Sequence, residues 1–155
     1  MIKVSFKTLD DLTSFLEDGG FSEVRFCVNP DYVDAIIGVS DESKVVYDYD
    51  KMVEHLAKIY AKDDKCSDPY TDACEWIDYN CDIPYWEIVT RDKDDYVPLE
   101  ENNPDFYKRF SDYKKYIIGM NTYGSLLIDS EYITDQIIDD MESILDEFEV
   151  DYKII

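Results

Sequence analysis

One stretch of the sequence occurs twice, and this repetition constrains the fold more than any other feature. Residues 31–56 and 112–137 align at a constant offset of 81 positions, without a gap. The most similar part is the IIG motif, which occupies residues 36–38 and again residues 117–119. In each copy two short apolar segments flank a polar turn and precede a helical pattern. The repetition therefore predicts one unit of strand, turn, strand and helix, built twice.

This repeated unit predicts an α+β fold. We expect two ββα repeats in mainly antiparallel sheets, with helices packed on one side. An N-terminal α+β unit of residues 1–90 would contain the first repeat. A C-terminal unit of residues 91–155 would contain the second repeat and an acidic helix. The polar run RDKDD at residues 91–95 favours this boundary.

Several single elements complete the prediction. Apolar patterning predicts strands over residues 2–6, 21–28 and 96–99, and a final helix from about Ser130 to Phe148. Asp48 and Asp129 occupy equivalent positions before the helical segment of each repeat. Both are predicted to be helix N-caps, each contributing about 1 kcal/mol.

The charge of the chain excludes several classes of partner. Its 37 acidic and 15 basic residues give a formal net charge of −22, and both halves share the excess. Direct binding to nucleic acid needs clusters of Lys and Arg that release counterions, so it is not expected. Anionic membrane surfaces are disfavoured for the same reason. Basic protein surfaces are the expected partners.

The sequence contains no catalytic or metal-binding motif, and we expect no enzyme activity, cofactor or metal. The N-terminus shows neither an apolar signal core nor a transit pattern, which predicts a cytoplasmic protein. In that setting the four cysteines are expected to be free thiols. The single histidine, His55, has no nucleophile signature beside it and is interpreted as structural. The acidic run that begins at Asp92 lacks the central glycine of a calcium loop.

The final helix carries the main candidate binding site. Five acidic residues follow its period around one face, and no Lys or Arg occurs between Lys115 and Lys153. Steps of three or four residues separate successive carboxylates by about 5–6 Å, comparable to the phosphate spacing along one DNA strand. A solvated helix face is the alternative interpretation, but such a face is normally relieved by Glu–Lys pairs. The predicted binding residues are Asp135, Asp139, Glu142, Asp146 and Glu149.

Tyrosine adds a second kind of candidate. The chain has 14 tyrosines and two tryptophans, residues that dominate protein-binding hot spots. Tyr96 and Tyr123 are predicted in loops or at element ends and join the partner-binding set. Tyr70, Tyr79, Tyr85 and Trp86 are further candidates of this kind.

Short motifs in the first repeat and its flanks carry a family resemblance. They are NPDY at 29–32, AIIGV at 35–39, VVYDYDKMVE at 45–54, WIDYN at 76–80 and PY at 84–85. Over about residues 1–90 the chain resembles a family of small acidic proteins of Firmicutes phages and mobile elements. The resemblance implies a phage or mobile-element context and assigns no catalytic residue.

Charge, acidic helix and resemblance together predict a non-catalytic inhibitor. It would bind a basic nucleic-acid-handling host protein as a DNA mimic, of the anti-restriction or anti-CRISPR kind. A regulatory adaptor or immunity-type protein that binds through aromatic contacts is the alternative. A small metal-dependent or thiol enzyme is the third interpretation.

Overall fold

The computed structural model describes residues 1–21, 23–81, 85–91, 103–131 and 133–155. Two compact units make up the chain. The N-terminal unit comprises Ile2–Ile88, and the C-terminal unit comprises Val89–Ile155 together with Met1. Both contain helices and strands, so the predicted α+β class is confirmed.

The N-terminal unit is built from a three-stranded antiparallel arrangement and three helices, within the residues described. Its strands are β1 (Ile2–Lys3), β2 (Ile36–Val39) and β3 (Val45–Asp48). Its helices are α1 (Leu9–Asp18), α2 (Tyr49–Tyr60) and α3 (Pro69–Asn80). A 3-10 segment, Pro30–Ala35, leads into β2. β2 pairs antiparallel with both β1 and β3.

Strand β4 (Glu87–Thr90) contains the boundary between the units, because Ile88 ends the N-terminal unit and Val89 begins the C-terminal unit. The further strands of the C-terminal unit are β5 (Ile117–Asn121), β6 (Leu126–Ile128) and β7 (Tyr152–Ile154). Its described helices are α4 (Pro104–Phe110) and α5 (Asp135–Glu147), and a 3-10 segment, Ser111–Tyr116, precedes β5. β5 pairs antiparallel with β4 and β6, whereas β7 runs parallel to β6. The parallel strand β7 was not among the predicted elements.

Each unit has its own apolar core, supplied mainly by the hairpin strands and by one face of each helix. The largest fully buried side chains of the N-terminal core are Leu12, Tyr32, Tyr47, Met52 and Ile77. Those of the C-terminal core are Phe110, Leu126, Ile128, Met141 and Leu145. These residues fall on the apolar positions of the helical and strand patterns, so the patterns identify much of both cores.

The two hairpins share one hydrogen-bonding register. In the first, Ile36, Gly38 and Val39 pair with Tyr47, Val46 and Val45. In the second, the pairs are Ile117 with Ile128, Gly119 with Leu127 and Met120 with Leu126. Every pair differs from its counterpart by the same 81 positions, including the irregularity just before the glycine. This correspondence is limited to the hairpins, and the two complete ββα repeats stay a prediction.

The helices that follow the hairpins begin differently, and one predicted cap is wrong. Asp48 caps α2 as expected, because its Oδ1 accepts the Lys51 N–H at 3.2 Å. Asp129 does not cap α5; its Oδ1 accepts the Glu131 N–H at 3.1 Å and lies 3.9 Å from the N-terminal ammonium group. Thr134 is the cap instead.

The delayed start of α5 has a tertiary cause. The Ser130 N–H donates to the Ile155 carbonyl at 3.1 Å, and the Ile155 N–H donates to the Ile128 carbonyl at 2.8 Å. The chain therefore continues beside the C-terminal residues for two positions beyond β6 instead of turning at once into a helix. The predicted helix start at Ser130 is thus five residues too early, since α5 begins at Asp135.

The strand predicted over residues 21–28 is also wrong, because the described residues of this segment form no strand. Its Cys27 N–H donates to the hydroxyl of Tyr47 at 3.0 Å, so a side chain takes the role of a neighbouring strand. Phe21, Val24 and Phe26 still pack against the core. The first predicted strand is shorter than expected and ends at Lys3, and the one predicted over residues 96–99 lies outside the described residues.

Gly119 lies where β5 passes closest to β4. A Cβ atom built on Gly119 would collide with the side chain of Val89 and with the carbonyl oxygen of Thr90. Gly124, in the β5–β6 turn, has a φ of 83° and open space around the same position. Gly119 is therefore required for close approach, whereas Gly124 is favoured for backbone conformation.

Gly119→Ala should lower the free energy of unfolding by about 3 kcal/mol, because the added methyl group must displace strand backbone. Gly124→Ala is the matched control and should cost about 1 kcal/mol, the strain of a left-handed residue alone. Urea denaturation of both variants measures the difference. Equal losses in the two variants would contradict the close approach.

Thr134→Ala should lower the free energy of unfolding by about 1 kcal/mol, because the Thr134 hydroxyl accepts the Ile137 N–H at the start of α5. Thr134→Ser keeps the hydroxyl and should remain close to the wild type. Denaturation curves of the pair provide the test, and a Thr134→Ala variant as stable as Thr134→Ser would show that this residue is not the cap.

Candidate protein-binding face

Helix α5 is held against the C-terminal core by one apolar side. Met141, Ile144 and Leu145 are buried, and Phe148 packs edge-on to Phe106 with ring centroids 5.5 Å apart. The spacing of these residues at three and four positions leaves the other side of the helix for polar groups. The core contacts therefore determine which side chains α5 presents to solvent.

Four of the predicted acidic residues lie on this helix and form what we call the acidic face of α5: Asp135, Asp139, Glu142 and Asp146. The first, second and fourth are exposed, whereas Glu142 is half-buried. Glu149 lies beyond the helix end in a left-handed conformation, with a φ of 55°. Its N–H donates to the Asp146 carbonyl and the Val150 N–H to the Leu145 carbonyl, as in a Schellman cap. Glu149 is exposed but does not continue the helix.

The acidic face has no neutralising partner among the residues described. No described Lys or Arg forms an ion pair with any of its four carboxylates. Among the described basic residues, Arg109 of α4 forms an ion pair with α5. Its Nη1 lies 2.7 Å from Oε1 of Glu147, which is outside the acidic face. Both side chains of that pair are substantially exposed, so the pair adds little stability. The negative potential of the face is consequently left to solvent and mobile ions.

Glu142 and Asp146 also affect a tyrosine of strand β7. The pKa of Tyr152 is raised above its ordinary value, first by burial and then by the charges of Glu142 and Asp146. A hydrogen bond between Tyr152 and Glu142 acts in the same direction, because it stabilises the neutral phenol. Strand β7, absent from the predicted elements, thus supports the middle of the acidic face.

The predicted tyrosines differ in what the structure shows. Tyr123 is 63% exposed in the β5–β6 turn. The buried Asn121 organises that turn, since its Oδ1 accepts the N–H groups of Tyr123 and Ser125 at 3.1 and 2.9 Å. Tyr96 lies outside the described residues. Trp86 is half-buried against the N-terminal core: its ring packs against Tyr47, and its indole N–H donates to the Cys81 carbonyl at 3.1 Å.

A groove in the N-terminal unit was not predicted from the sequence, although Tyr79, one of its lining residues, was among the interface candidates. It has a volume of about 720 Å³ and is lined by residues at the end of α2, along α3 and in the segment between them. Trp76 and Tyr79 are 41% and 88% exposed there. The sequence holds a signal for this, because both aromatics lie off the stripe that Ala73 and Ile77 form on α3.

The other candidate chemistries gain no support from the described residues. All four cysteines are free thiols, and burial raises the pKa of Cys27 and raises that of Cys81 to about 12, which disfavours thiolate. His55 Nε2 lies 2.6 Å from Oδ1 of Asp34. Where the structure describes the chain, no group of three or more His, Cys, Asp and Glu side chains is placed to hold a metal ion. Nor is any described helix both long and apolar enough for a membrane span.

Comparisons with known proteins place no further constraint on the site. No protein-family model matches the chain, and no curated protein or solved structure matches it. The acidic face and the groove are therefore characterised by the geometry and charge of their own residues.

Glu142→Gln should lower the pKa of Tyr152 toward the ordinary tyrosine value, because it removes the larger of the two charge effects that oppose ionisation. The fall should be partial, since burial and Asp146 remain. An NMR titration of chain labelled with ¹³C at the tyrosine ζ carbon measures it. Glu149→Gln is the control and should leave the pKa unchanged; an unchanged value in Glu142→Gln would contradict the described contact.

Proposed function

We propose that the protein is a non-catalytic acidic inhibitor that binds a basic nucleic-acid-handling host protein through the acidic face of α5. The proposed target is a defence nuclease or a similar enzyme of the host cytoplasm, and the proposed class is a DNA mimic of the anti-restriction or anti-CRISPR kind. The observation that carries the proposal is a helix face of carboxylates with no ion-pair partner among the described residues.

The geometry of α5 favours competition with DNA. The helix has 13 residues and is therefore about 20 Å long. The backbone of α5 is anchored to a core, so mainly side-chain rotamer freedom is lost when its carboxylates meet a rigid basic channel. A basic channel that binds DNA by neutralising phosphates would be attracted to such a face by the same long-range field.

The net charge supports fast association with such a target. At −22 the whole chain contributes a field that steers it toward basic surfaces, and this field weakens as salt screens it. The resemblance of residues 1–90 to phage and mobile-element proteins provides a biological setting in which an inhibitor of host nucleases is useful.

A regulatory adaptor or immunity-type protein is the second candidate function, favoured by the exposed aromatics of the groove in the N-terminal unit. The dependence of inhibition on salt concentration distinguishes the two candidate functions. Inhibition by a charge mimic should weaken steeply from low to moderate ionic strength, whereas an interface anchored by aromatic residues should change little.

The test uses a triple reversal of the acidic face, Asp135→Lys, Asp139→Lys and Asp146→Lys. Purified restriction and CRISPR nucleases are mixed with fluorescent duplex DNA, and displacement of the DNA by the protein is followed by anisotropy. The wild type should displace DNA from at least one nuclease, and the triple variant should need at least about tenfold more protein, because three attractive charges become repulsive.

The matched control reverses Glu17, Asp18 and Glu23, three exposed acids of the N-terminal unit. Each triple reversal changes the formal charge from −22 to −16, since every Asp or Glu to Lys change adds two charges. The control should displace DNA nearly as well as the wild type. Three outcomes would contradict the proposal. Both variants could lose displacement equally, or the α5 variant could displace DNA as well as the wild type. The wild type could also fail to displace DNA from every nuclease.

A further inference from the structure

The groove between α2 and α3 combines exposed aromatic rings with carboxylates. Trp76 and Tyr79 supply the exposed rings, and the half-buried Tyr60 adds a third ring to the lining. Asp63, Asp72 and Glu75 supply the acids, and Lys65 is the base among the described lining residues. At about 720 Å³ it falls within the range of sites that hold a ligand of several side chains or a small molecule.

The packing of α3 leaves the rings of Trp76 and Tyr79 facing solvent. The buried side of the helix is formed by Ala73 and Ile77, which contact the N-terminal core. Trp76 lies three positions after Ala73, and Tyr79 lies two positions after Ile77. Both fall on another side of the helix. Large aromatic surfaces left in water are unfavourable, and they are typical of binding surfaces, where Trp and Tyr provide most of the energy.

The carboxylates of the groove are positioned but not neutralised. Oδ1 of Asp63 accepts the Lys65 N–H at 3.0 Å, and Oδ2 of Asp72 accepts the Cys66 thiol at 2.9 Å. These contacts hold the two side chains, and no described residue bonds the second carboxylate oxygen of either. Within the described part of the chain, no Lys or Arg forms an ion pair with either of them or with Glu75. The groove therefore offers acceptors to a cationic donor.

We propose that this groove binds an arginine side chain presented by an extended basic segment of another protein. A guanidinium group stacks on aromatic rings and donates in a planar fork to carboxylates, so one side chain uses both features of the groove. An ammonium group attracts the same charges but lacks the planar stacking surface. Nucleotides and other anions are repelled by the three carboxylates. The site is separate from the acidic face of α5, and the proposal does not depend on it.

The test uses a peptide of two arginines separated and flanked by glycine and serine, acetylated and amidated at its ends. Two matched peptides replace arginine by lysine or by citrulline, which keeps the shape without the charge. Binding is followed through the two tryptophan indole N–H signals in ¹⁵N NMR spectra. The Trp76 signal should shift on titration with the arginine peptide, whereas Trp86, whose N–H bonds the Cys81 carbonyl, should remain in place.

Trp76→Ala should weaken binding of the arginine peptide at least about tenfold, measured by calorimetry, because the stacking surface is lost. Tyr70→Ala is the matched control: Tyr70 is an exposed aromatic of the same helix outside the groove lining, and its removal should change affinity less than about twofold. Glu75→Gln should weaken binding severalfold, and Glu17→Gln, an exposed acid on α1, should not. Circular dichroism confirms that each variant is folded.

Three results would overturn the proposal. The first is a Trp76 signal that does not move, or a Trp76→Ala variant that binds as well as the wild type. The second is an equal loss in Glu75→Gln and Glu17→Gln, which would show attraction by net charge alone. The third is equal binding of the arginine and citrulline peptides. The triple reversal on α5 should leave peptide binding nearly unchanged, so failure of this site and failure of the acidic face are observed separately.

Discussion

The pairing of each hairpin is the interaction on which the rest of each unit depends. Both hairpins use the same register, with an irregularity before a glycine, and both bury nearly every residue of the second strand. In the C-terminal unit Gly119 permits the neighbouring strand to approach, because any Cβ there would meet its backbone. The helices then pack on the apolar side chains that this register brings together.

A net charge of −22 is tolerated because nearly all the acidic groups that the structure describes remain exposed to water. The described exceptions are few, and each has a specific partner. Asp48 is buried and caps α2, Asp129 is buried and accepts the Glu131 N–H, and Glu87 is buried 3.6 Å from the Lys44 ammonium group. Such groups would be costly if they were left without a donor. The remaining charge is free to act at a distance, and this gives the acidic face of α5 its proposed role.

The two candidate surfaces differ in how far sequence reveals them. The acidic face is a periodic pattern on one helix, so the spacing of Asp135, Asp139 and Asp146 is enough to identify them as exposed neighbours. The role of Glu142 could not be identified in this way, because its partner Tyr152 lies on a strand that pairs only through distant residues. The groove lies between the end of α2 and the side of α3, so it depends on how these two helices pack together and not on the pattern of one helix. An aromatic residue in a helical pattern is more often buried, so the pattern alone favours the wrong interpretation.

By itself the sequence determined the features that depend on residues close together along the chain. The two hairpins, helix α2, the Asp48 cap and the excess of negative charge all follow from local spacing and composition. Tertiary structure alone decided the elements whose hydrogen bonds come from far away. The pairing of Ser130 and Ile128 with Ile155 moved the cap of α5 to Thr134, and the hydroxyl of Tyr47 replaced a strand partner at Cys27. The physical reason is that a backbone group must be satisfied by some partner, and no local pattern records which distant group will supply it.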